Sequence, residues 1–296
     1  MTAVIDDAAR AHLVDRFGQG VASWCDELPS VVARLSERWG LRLLSSVPGN
    51  TGRTFLCEDA DGRSVVLKLT PERDIAEAEA SALRLWQGCS RVVGLIDADL
   101  DAGAVLLEGI VPGTQLRELG AAVPWAEIGE LLDQLAAIPA PIAGFPPLLE
   151  RITFIYELSE RRWRGSAAER HLPLDTLRRS ADRAAELAVG GRVGLIHGDL
   201  HPANVLYGGP ERGIVAIDPR ASLGDTALDA ADWVFLPVAE GGTLDDGLAA
   251  LAPHVRSLDA ERVRAWCEAL AVLVALPSLR RDQPSPFTER LLRMAP

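Results

Sequence analysis

The stretch from Val193 to Tyr207, Val-Gly-Leu-Ile-His-Gly-Asp-Leu-His-Pro-Ala-Asn-Val-Leu-Tyr, limits the fold more than any other part of the chain. The apolar run Val193 to Ile196 predicts a short buried strand. It delivers a polar loop, His197 to Asn204. Val205 to Tyr207 predicts a second strand, and Gly208, Gly209 and Pro210 a turn. A third strand, Ile214 to Ile217, ends on Asp218. Two carboxylates and one carboxamide (Asp199, Asn204, Asp218) therefore stand at strand ends of one hairpin-like unit. The bland account is a buried polar loop that only satisfies its own hydrogen bonds, and His197 fits such a bracing role.

Phosphoryl transfer uses these groups in this arrangement. An acceptor hydroxyl needs a positioned acceptor for its proton, which Asp199 supplies. A nucleoside triphosphate brings a hard Mg²⁺, which prefers oxygen ligands. Asn204 and Asp218 offer oxygen from two sides. The spacing Asp-x4-Asn followed by a later strand-end Asp is the kinase catalytic-loop pattern. One departure is Ile217-Asp218-Pro219, where protein kinases carry Asp-Phe-Gly. Gly198-Asp199-Leu200-His201 also resembles the opening of a two-metal phosphoesterase. That chemistry needs further His and Asn ligands. The five histidines (His12, His171, His197, His201, His254) include no later His-x-His, and no Asn-His pair follows.

The length of 296 residues gives room for one large domain or two lobes. Hydrophobic content of 48% and 24% charged residues are ordinary for a globular protein. A net charge of −12 repels nucleic acid and anionic lipid and attracts cations, though solubility alone also accounts for it. Cys25, Cys57, Cys89 and Cys267 have no C-x-x-C spacing, which predicts free thiols in a reducing compartment. The first residues lack a basic region and an apolar core, and no apolar run is long enough for a membrane span. These features predict a cytoplasmic protein with no nucleic-acid or membrane partner, and a monomer.

Residues 1–39 read as helical, with Val32, Leu35 and Trp39 on one face and Gly40 as the stop. Strands follow at Leu41 to Ser45, Thr54 to Glu58 and Ser64 to Leu69, with Asp61-Gly62 as a hairpin turn. Gly49 and Gly52 would suit any hairpin turn. They would also let backbone N–H groups cover phosphates. Lys68 lies between Leu67 and Leu69. By alternation a strand lysine simply points to solvent. The helix Asp74 to Trp86, ended by Gly88, gives it another role, because Glu77 or Glu79 could pair with it, as in kinases. Glu79 is the preferred partner. Val92 to Ile96 and Ala104 to Glu108 complete five strands. Gly109 to Gly113 reads as a linker. Backbone groups of Glu108 to Ile110 could meet an adenine edge, although a plain connection predicts the same sequence. The remainder is mostly helical, at 124–135, 147–164, 173–189, 243–256 and 259–282. Asp225 is expected to cap a further helix carrying Asp229, Asp232 and Trp233.

With these pieces placed, the sequence resembles the aminoglycoside phosphotransferases, and most of all their streptomycin 6-kinase and hydroxyurea phosphotransferase branch. The resemblance rests on Leu28-Pro29 with Trp39-Gly40, Val66 to Leu69, Ala82 to Trp86 before Gly88, and Leu106 to Glu108 with Pro112-Gly113. Its strongest part is His197 to Leu206, then Ala216 to Pro219 and Gly224-Asp225. It implies an α+β, two-lobed protein-kinase-like fold. Residues 1–108 would form the N-lobe, a five-stranded antiparallel sheet plus a helix, residues 109–114 the linker, and residues 115–296 a mainly helical C-lobe. It implies ATP, Mg²⁺ and a small-molecule hydroxyl acceptor, for which the acidic composition suggests a cation. Carried over by position, Lys68 binds phosphates, Asp199 is the base, and Asn204 and Asp218 hold metal. Asp225 and Asp229 brace the catalytic loop. Two features depart from the pattern: Arg220 follows Pro219 where the branch commonly has lysine, and Arg161 to Arg164 add positive charge to a region expected to border the acceptor site. Glu268 is a candidate acceptor-side carboxylate. The rival readings are a metabolic sugar or amino-alcohol kinase and a catalytically silent nucleotide-binding module.

Overall fold

The structure is a computed structural model that describes residues 4–49, 51–120, 122–139 and 144–296. The chain runs α1 (Asp7–Phe17), α2 (Ala22–Trp39), β1 (Arg42–Pro48), β2 (Arg53–Glu58), β3 (Ser64–Leu69), α3 (Arg73–Leu85), β4 (Leu95–Asp99), β5 (Ala104–Glu108) and β6 (Thr114–Gln115). It continues through α4 (Trp125–Ala137), α5 (Leu148–Trp163), α6 (Leu174–Ala188), β7 (Val193–Ile196), β8 (Val205–Tyr207), α7 (Gly209–Arg212), β9 (Ile214–Ala216) and β10 (Ser222–Asp225). It closes with α8 (Leu228–Ala239), α9 (Leu244–Leu251), α10 (Ala260–Arg280) and α11 (Pro286–Met294). Two compact units result. One holds the chain up to Gln115 together with Leu206–Ile217, and the other holds Leu116–Val205 and Asp218–Pro296.

The first unit is built on a five-stranded sheet of order β1-β2-β3-β5-β4, with antiparallel neighbours throughout. Alternation along β2 and β3 puts Phe55, Cys57, Val65, Leu67 and Leu69 on one face, where all are buried. Leu28, Val32 and Leu35 recur at helical spacing on α2 and pack against that face. Burying each such side chain contributes about 1.5–3 kcal/mol, so this contact fixes the helix on the sheet. Gly40 ends α2 in the left-handed conformation, φ 63°, its N–H returning to Ser36 and Glu37 carbonyls.

Strand β4 starts at Leu95 rather than Val92. Residues 91–93 have another partner: Val93 N–H donates to Ala216 O at 3.0 Å and Ala216 N–H to Arg91 O at 2.8 Å. A register shift between Leu95 and Asp97 then brings the chain onto β5. A three-stranded sheet, β6-β8-β9, completes this unit. The Gly-Gly-Pro stretch read as a turn contains the one-turn helix α7.

The second unit is helical around α10, whose Val263, Trp266, Cys267, Val272, Ala275 and Leu279 are buried. Tyr156 of α5 donates its hydroxyl proton to Ala269 O at 2.5 Å, tying those helices. Its two-stranded sheet pairs β7 with β10, from Ser222 opposite Ile196 to Asp225 opposite Val193. Strand β10 was not expected. It corrects the reading of Asp225, because α8 begins at Leu228 with Ala227 at the cap position. Asp225 instead takes Trp266 Nε1–H at 2.6 Å and pairs with Arg262. Helix α11 was also missed, although Ser285 caps it and Pro286 occupies its first position. The four cysteines are free. Among the described residues no helix is long and apolar enough to cross a membrane.

Candidate active site

In the second unit, β7 ends on Ile196 and hands the chain to a loop with a dense hydrogen-bond pattern. His197 is fully buried. Its N–H donates to Asp229 Oδ2 at 2.7 Å, and Gly198 N–H donates to Asp229 Oδ1 at 2.9 Å. Arg220 N–H donates to His197 O at 2.8 Å. Asp229 therefore braces the loop from α8. Burial pushes its carboxyl up to about 6, against the pull of the two N–H donors. Gly198 has φ +73°, and a Cβ there would stand 2.5 Å from Arg220 O. Only glycine fits that backbone.

The loop turns on itself after Asp199. His201 N–H reaches Asp199 O at 3.1 Å, and Asn204 N–H reaches His201 O at 2.8 Å. Asn204 Nδ2 then donates to Asp199 O at 3.0 Å and to Asp199 Oδ2 at 3.1 Å. A carboxylate and a carbonyl can only accept, so the amide nitrogen must face them. The amide oxygen of Asn204 is left as the atom that can ligate a cation. Asp218 follows β9 and Ile217, with φ 59°, a left-handed backbone that is uncommon for any residue but glycine.

The donor set tests the fit to a metal. Among the described residues no three His, Cys, Asp or Glu side chains converge as a metal cage. One carboxylate and one amide oxygen suit Mg²⁺, which keeps water and phosphate oxygens as its other ligands. The residues present therefore fit that ion.

Other charged groups surround Asp199. Arg151 of α5 donates from Nε to Gly198 O at 2.9 Å and holds Nη2 at 3.5 Å from Asp199 Oδ1. Burial raises the carboxyl of Asp232, one turn beyond Asp229 on α8; nearby His201 draws it down and Asp199 pushes it further up. The sequence reading passed over Arg151. The signal was present, because Arg151 interrupts the apolar stripe of Leu148, Ile152 and Tyr156. Glu268 lies half-buried on α10, and Arg161, Arg162 and Arg164 are exposed, Arg164 pairing with Glu160.

In the first unit, Lys68 Nζ donates to Glu79 Oε1 of α3 at 2.6 Å, with side chains 22% and 8% exposed. Glu77 is exposed on the helix. Thr54 is the cross-strand neighbour of Lys68. Gly52 has a packing reason of its own: a Cβ there would stand 1.9 Å from Leu69 O. Thr70 Oγ1 donates to Thr51 O at 2.9 Å and holds this turn to the end of β3. Gly49 lies across the turn, where a Cβ would meet Gly52 O at 3.0 Å. Glu108 and Gly109 spend their N–H groups on Gly94 O and Ser64 O, each at 2.9 Å. Gly94 N–H and Arg212 hold the Glu108 side chain at 2.8 and 2.6 Å. Among the described residues, no backbone acceptor takes the Ile110 N–H.

A two-unit fold with this sheet, this helical unit and this loop defines a protein-kinase-like small-molecule kinase. The sequence matches the aminoglycoside/hydroxyurea antibiotic resistance kinases over residues 38–281, and the chain belongs to that family. It is 32% identical to a hydroxyurea phosphotransferase of Kitasatospora aureofaciens over 283 residues, covering 86% of this chain and 76% of the relative. It is 31% identical to a streptomycin 6-kinase of Streptomyces glaucescens, covering 76% of this chain and 72% of the relative. Among solved structures, a choline kinase from Streptococcus pneumoniae superposes with a TM-score of 0.61. The two are 17% identical, and the match covers 89% of this chain and 96% of the other. That likeness is one of fold.

Proposed function

We propose that the protein transfers the terminal phosphoryl group of ATP to a hydroxyl of a small molecule, either an aminoglycoside such as streptomycin or hydroxyurea. The observation that carries the reading is the double hydrogen bond from Asn204 Nδ2 to Asp199. It sets a base and a metal-binding amide in one rigid loop, as phosphoryl transfer requires. Kinship with a hydroxyurea phosphotransferase and a streptomycin 6-kinase supports the choice of acceptor.

In this reading Lys68, oriented by Glu79, holds the α- and β-phosphates. Gly49 and Gly52 let backbone N–H groups cover the phosphates. Glu108 O and Ile110 N–H meet the adenine edge. Asn204 and Asp218 hold Mg²⁺, which would neutralise charge on the phosphates when bound. Asp199 orients the acceptor hydroxyl and takes its proton as the bond to phosphorus forms. Positioning and charge stabilisation supply most of the rate, because the transition state is loose.

The test is a screen of the purified protein with Mg·ATP against streptomycin, hydroxyurea, choline, ethanolamine and a panel of sugars. ADP release and the mass of the product are both read. Phosphorylated streptomycin or hydroxyurea is expected. Turnover confined to an amino alcohol or a sugar would leave a kinase of the same fold with a metabolic acceptor, and ADP release with no phosphorylated product would sink the reading.

A further inference from the structure

Arg151 touches the loop that carries Asp199, yet no step of the proposed reaction uses it. It is the fourth residue of α5, and its side chain is only 19% exposed. Nε donates to Gly198 O at 2.9 Å, while Gly198 N–H donates to Asp229 Oδ1 at 2.9 Å. A cation thus holds this residue at its carbonyl, and an anion holds it at its amide. Beyond Gly198, Asp199 presents Oδ1 to Arg151 Nη2 at 3.5 Å and Oδ2 to Asn204 Nδ2 at 3.1 Å. Both oxygens of the carboxylate therefore have a fixed neighbour, which sets the plane of the group as well as its position.

A guanidinium is costly to keep in this place. Burial lowers its proton affinity and neighbouring Arg220 adds repulsion, which Asp199 and Asp229 only partly offset. A buried ion pair is weak evidence of stabilisation, since apolar side chains in place of both partners often do as well. Here its two contacts both fall on the loop of the reacting carboxylate, on a backbone oxygen and on the carboxylate itself. A planar guanidinium makes both from a rigid fork of donors, whereas a lysine would have to reach both from a single nitrogen.

We propose that Arg151 is a positioning residue that sets the orientation of the Asp199 carboxylate towards the acceptor hydroxyl. This rests on the phosphotransferase reading above. Arg151 acts through Asp199 and the Gly198 peptide, so its loss is felt in turnover rather than in nucleotide binding.

The experiment compares the wild type with Arg151→Met and Arg151→Lys, using streptomycin and hydroxyurea as acceptor probes. It reads kcat, the KM for ATP, the Tm, and a crystal structure of Arg151→Met. A displacement on the order of 1 Å at a reacting group costs about 10²-fold. Arg151→Met is therefore expected to lose about that much kcat with the ATP KM unchanged, and some Tm with it, because Asp199 and Gly198 O lose their donor. Arg151→Lys should recover part of the loss, and the crystal structure should show Asp199 rotated away from its bond to Asn204. A folded Arg151→Met with wild-type kcat overturns the proposal. So does a parallel fall in kcat, ATP binding and Tm that lysine does not relieve, which would mark a purely structural role. The crystal structure needs no acceptor: an unmoved Asp199 overturns the positioning role even if neither probe is phosphorylated. Failure of the wild type on both probes instead strikes the phosphotransferase reading.

Discussion

Asn204 Nδ2 lies 3.1 Å from Asp199 Oδ2 and 3.0 Å from the same residue's carbonyl oxygen, so one amide group closes the loop and steadies the carboxylate together. Two substitutions separate these duties. Asp199→Asn keeps the loop's shape and removes the proton acceptor. It should lower kcat by about 10²–10⁴-fold with Mg·ATP affinity intact. Asn204→Ala removes the brace and, in the proposed reading, the ligating oxygen, so kcat should fall and the Mg²⁺ concentration needed for half-maximal rate should rise. Steady-state kinetics across a magnesium series checks both. Near wild-type turnover by Asp199→Asn would exclude Asp199 as the base.

The pair of Lys68 and Glu79 gives a second prediction, with a control on the same helix. Glu79 is 8% exposed and meets Lys68 at 2.6 Å, whereas Glu77 is exposed. Glu79→Ala leaves the half-buried lysine short of its carboxylate and should cost about 1–3 kcal/mol. If Lys68 holds the phosphates as proposed, the substitution should also raise the KM for ATP, because Lys68 loses its orientation. Glu77→Ala should stay within about 0.5 kcal/mol of the wild type. Urea unfolding and ATP kinetics on the two variants decide it. Equal effects would show that the position of the pair on α3 does not matter.

Much of the geometry of the candidate site could be read from sequence because it is local. The loop from His197 to Asn204 is eight consecutive residues whose spacing fixes its turn, and Lys68 stands out as a charge in an apolar strand. The misread parts depend on partners distant in sequence. Ser222 to Asp225 is a strand only because β7 lies beside it. Val92 leaves the expected strand because Ala216 pairs with the backbone there. Asp225 looked like a helix cap because it precedes a helical stretch, while its carboxylate is held by Arg262 and Trp266, 37 and 41 residues further on. Local pattern identifies a polar residue as constrained, but only tertiary structure names what constrains it. Helix α11 is different, since its serine cap and first-turn proline were legible and simply overlooked.

Asp229 makes stability depend on pH. Its carboxyl is pushed up to about 6 by burial, above its ordinary value near 3.8. Between these values the folded protein keeps a proton that the unfolded chain has lost. This group therefore contributes most at low pH, and its contribution falls as pH rises from about 4 to about 6. Other carboxylates slope the opposite way, so the quantity to follow is the difference between the wild type and Asp229→Ala. That gap should narrow by roughly 2–3 kcal/mol across the window and then level off. Above it Asp229→Ala should still be the less stable protein, because the His197 and Gly198 N–H groups lose their acceptor. Denaturant titrations at steps from pH 4 to pH 8 measure it. A gap that widens with pH would mean the carboxylate is stabilised on folding, contrary to the effect of its burial.

The charge of the acceptor is the last matter, and two sets of groups pull it in opposite directions. Arg151 lies against Asp199, and Arg220 is near enough to act on Arg151. Asp232 also lies within electrostatic reach of Asp199, and it acts on Cys267 together with Glu268. The chain as a whole carries −12. If the carboxylates prevail, a polycation such as streptomycin is drawn in, and its capture weakens as salt screens the attraction. The KM for streptomycin should then climb between low and high ionic strength at fixed free Mg²⁺ and ATP, while kcat changes little. Asp232→Asn should raise that KM at low salt and flatten its salt dependence. Hydroxyurea carries no charge and serves as the internal control, since its KM should be indifferent to salt and nearly so to Asp232→Asn. A streptomycin KM that ignores salt, beside efficient turnover of hydroxyurea, would mean that the arginines govern this face. The acceptor would then be small and neutral, and the phosphotransferase reading would stand unaltered.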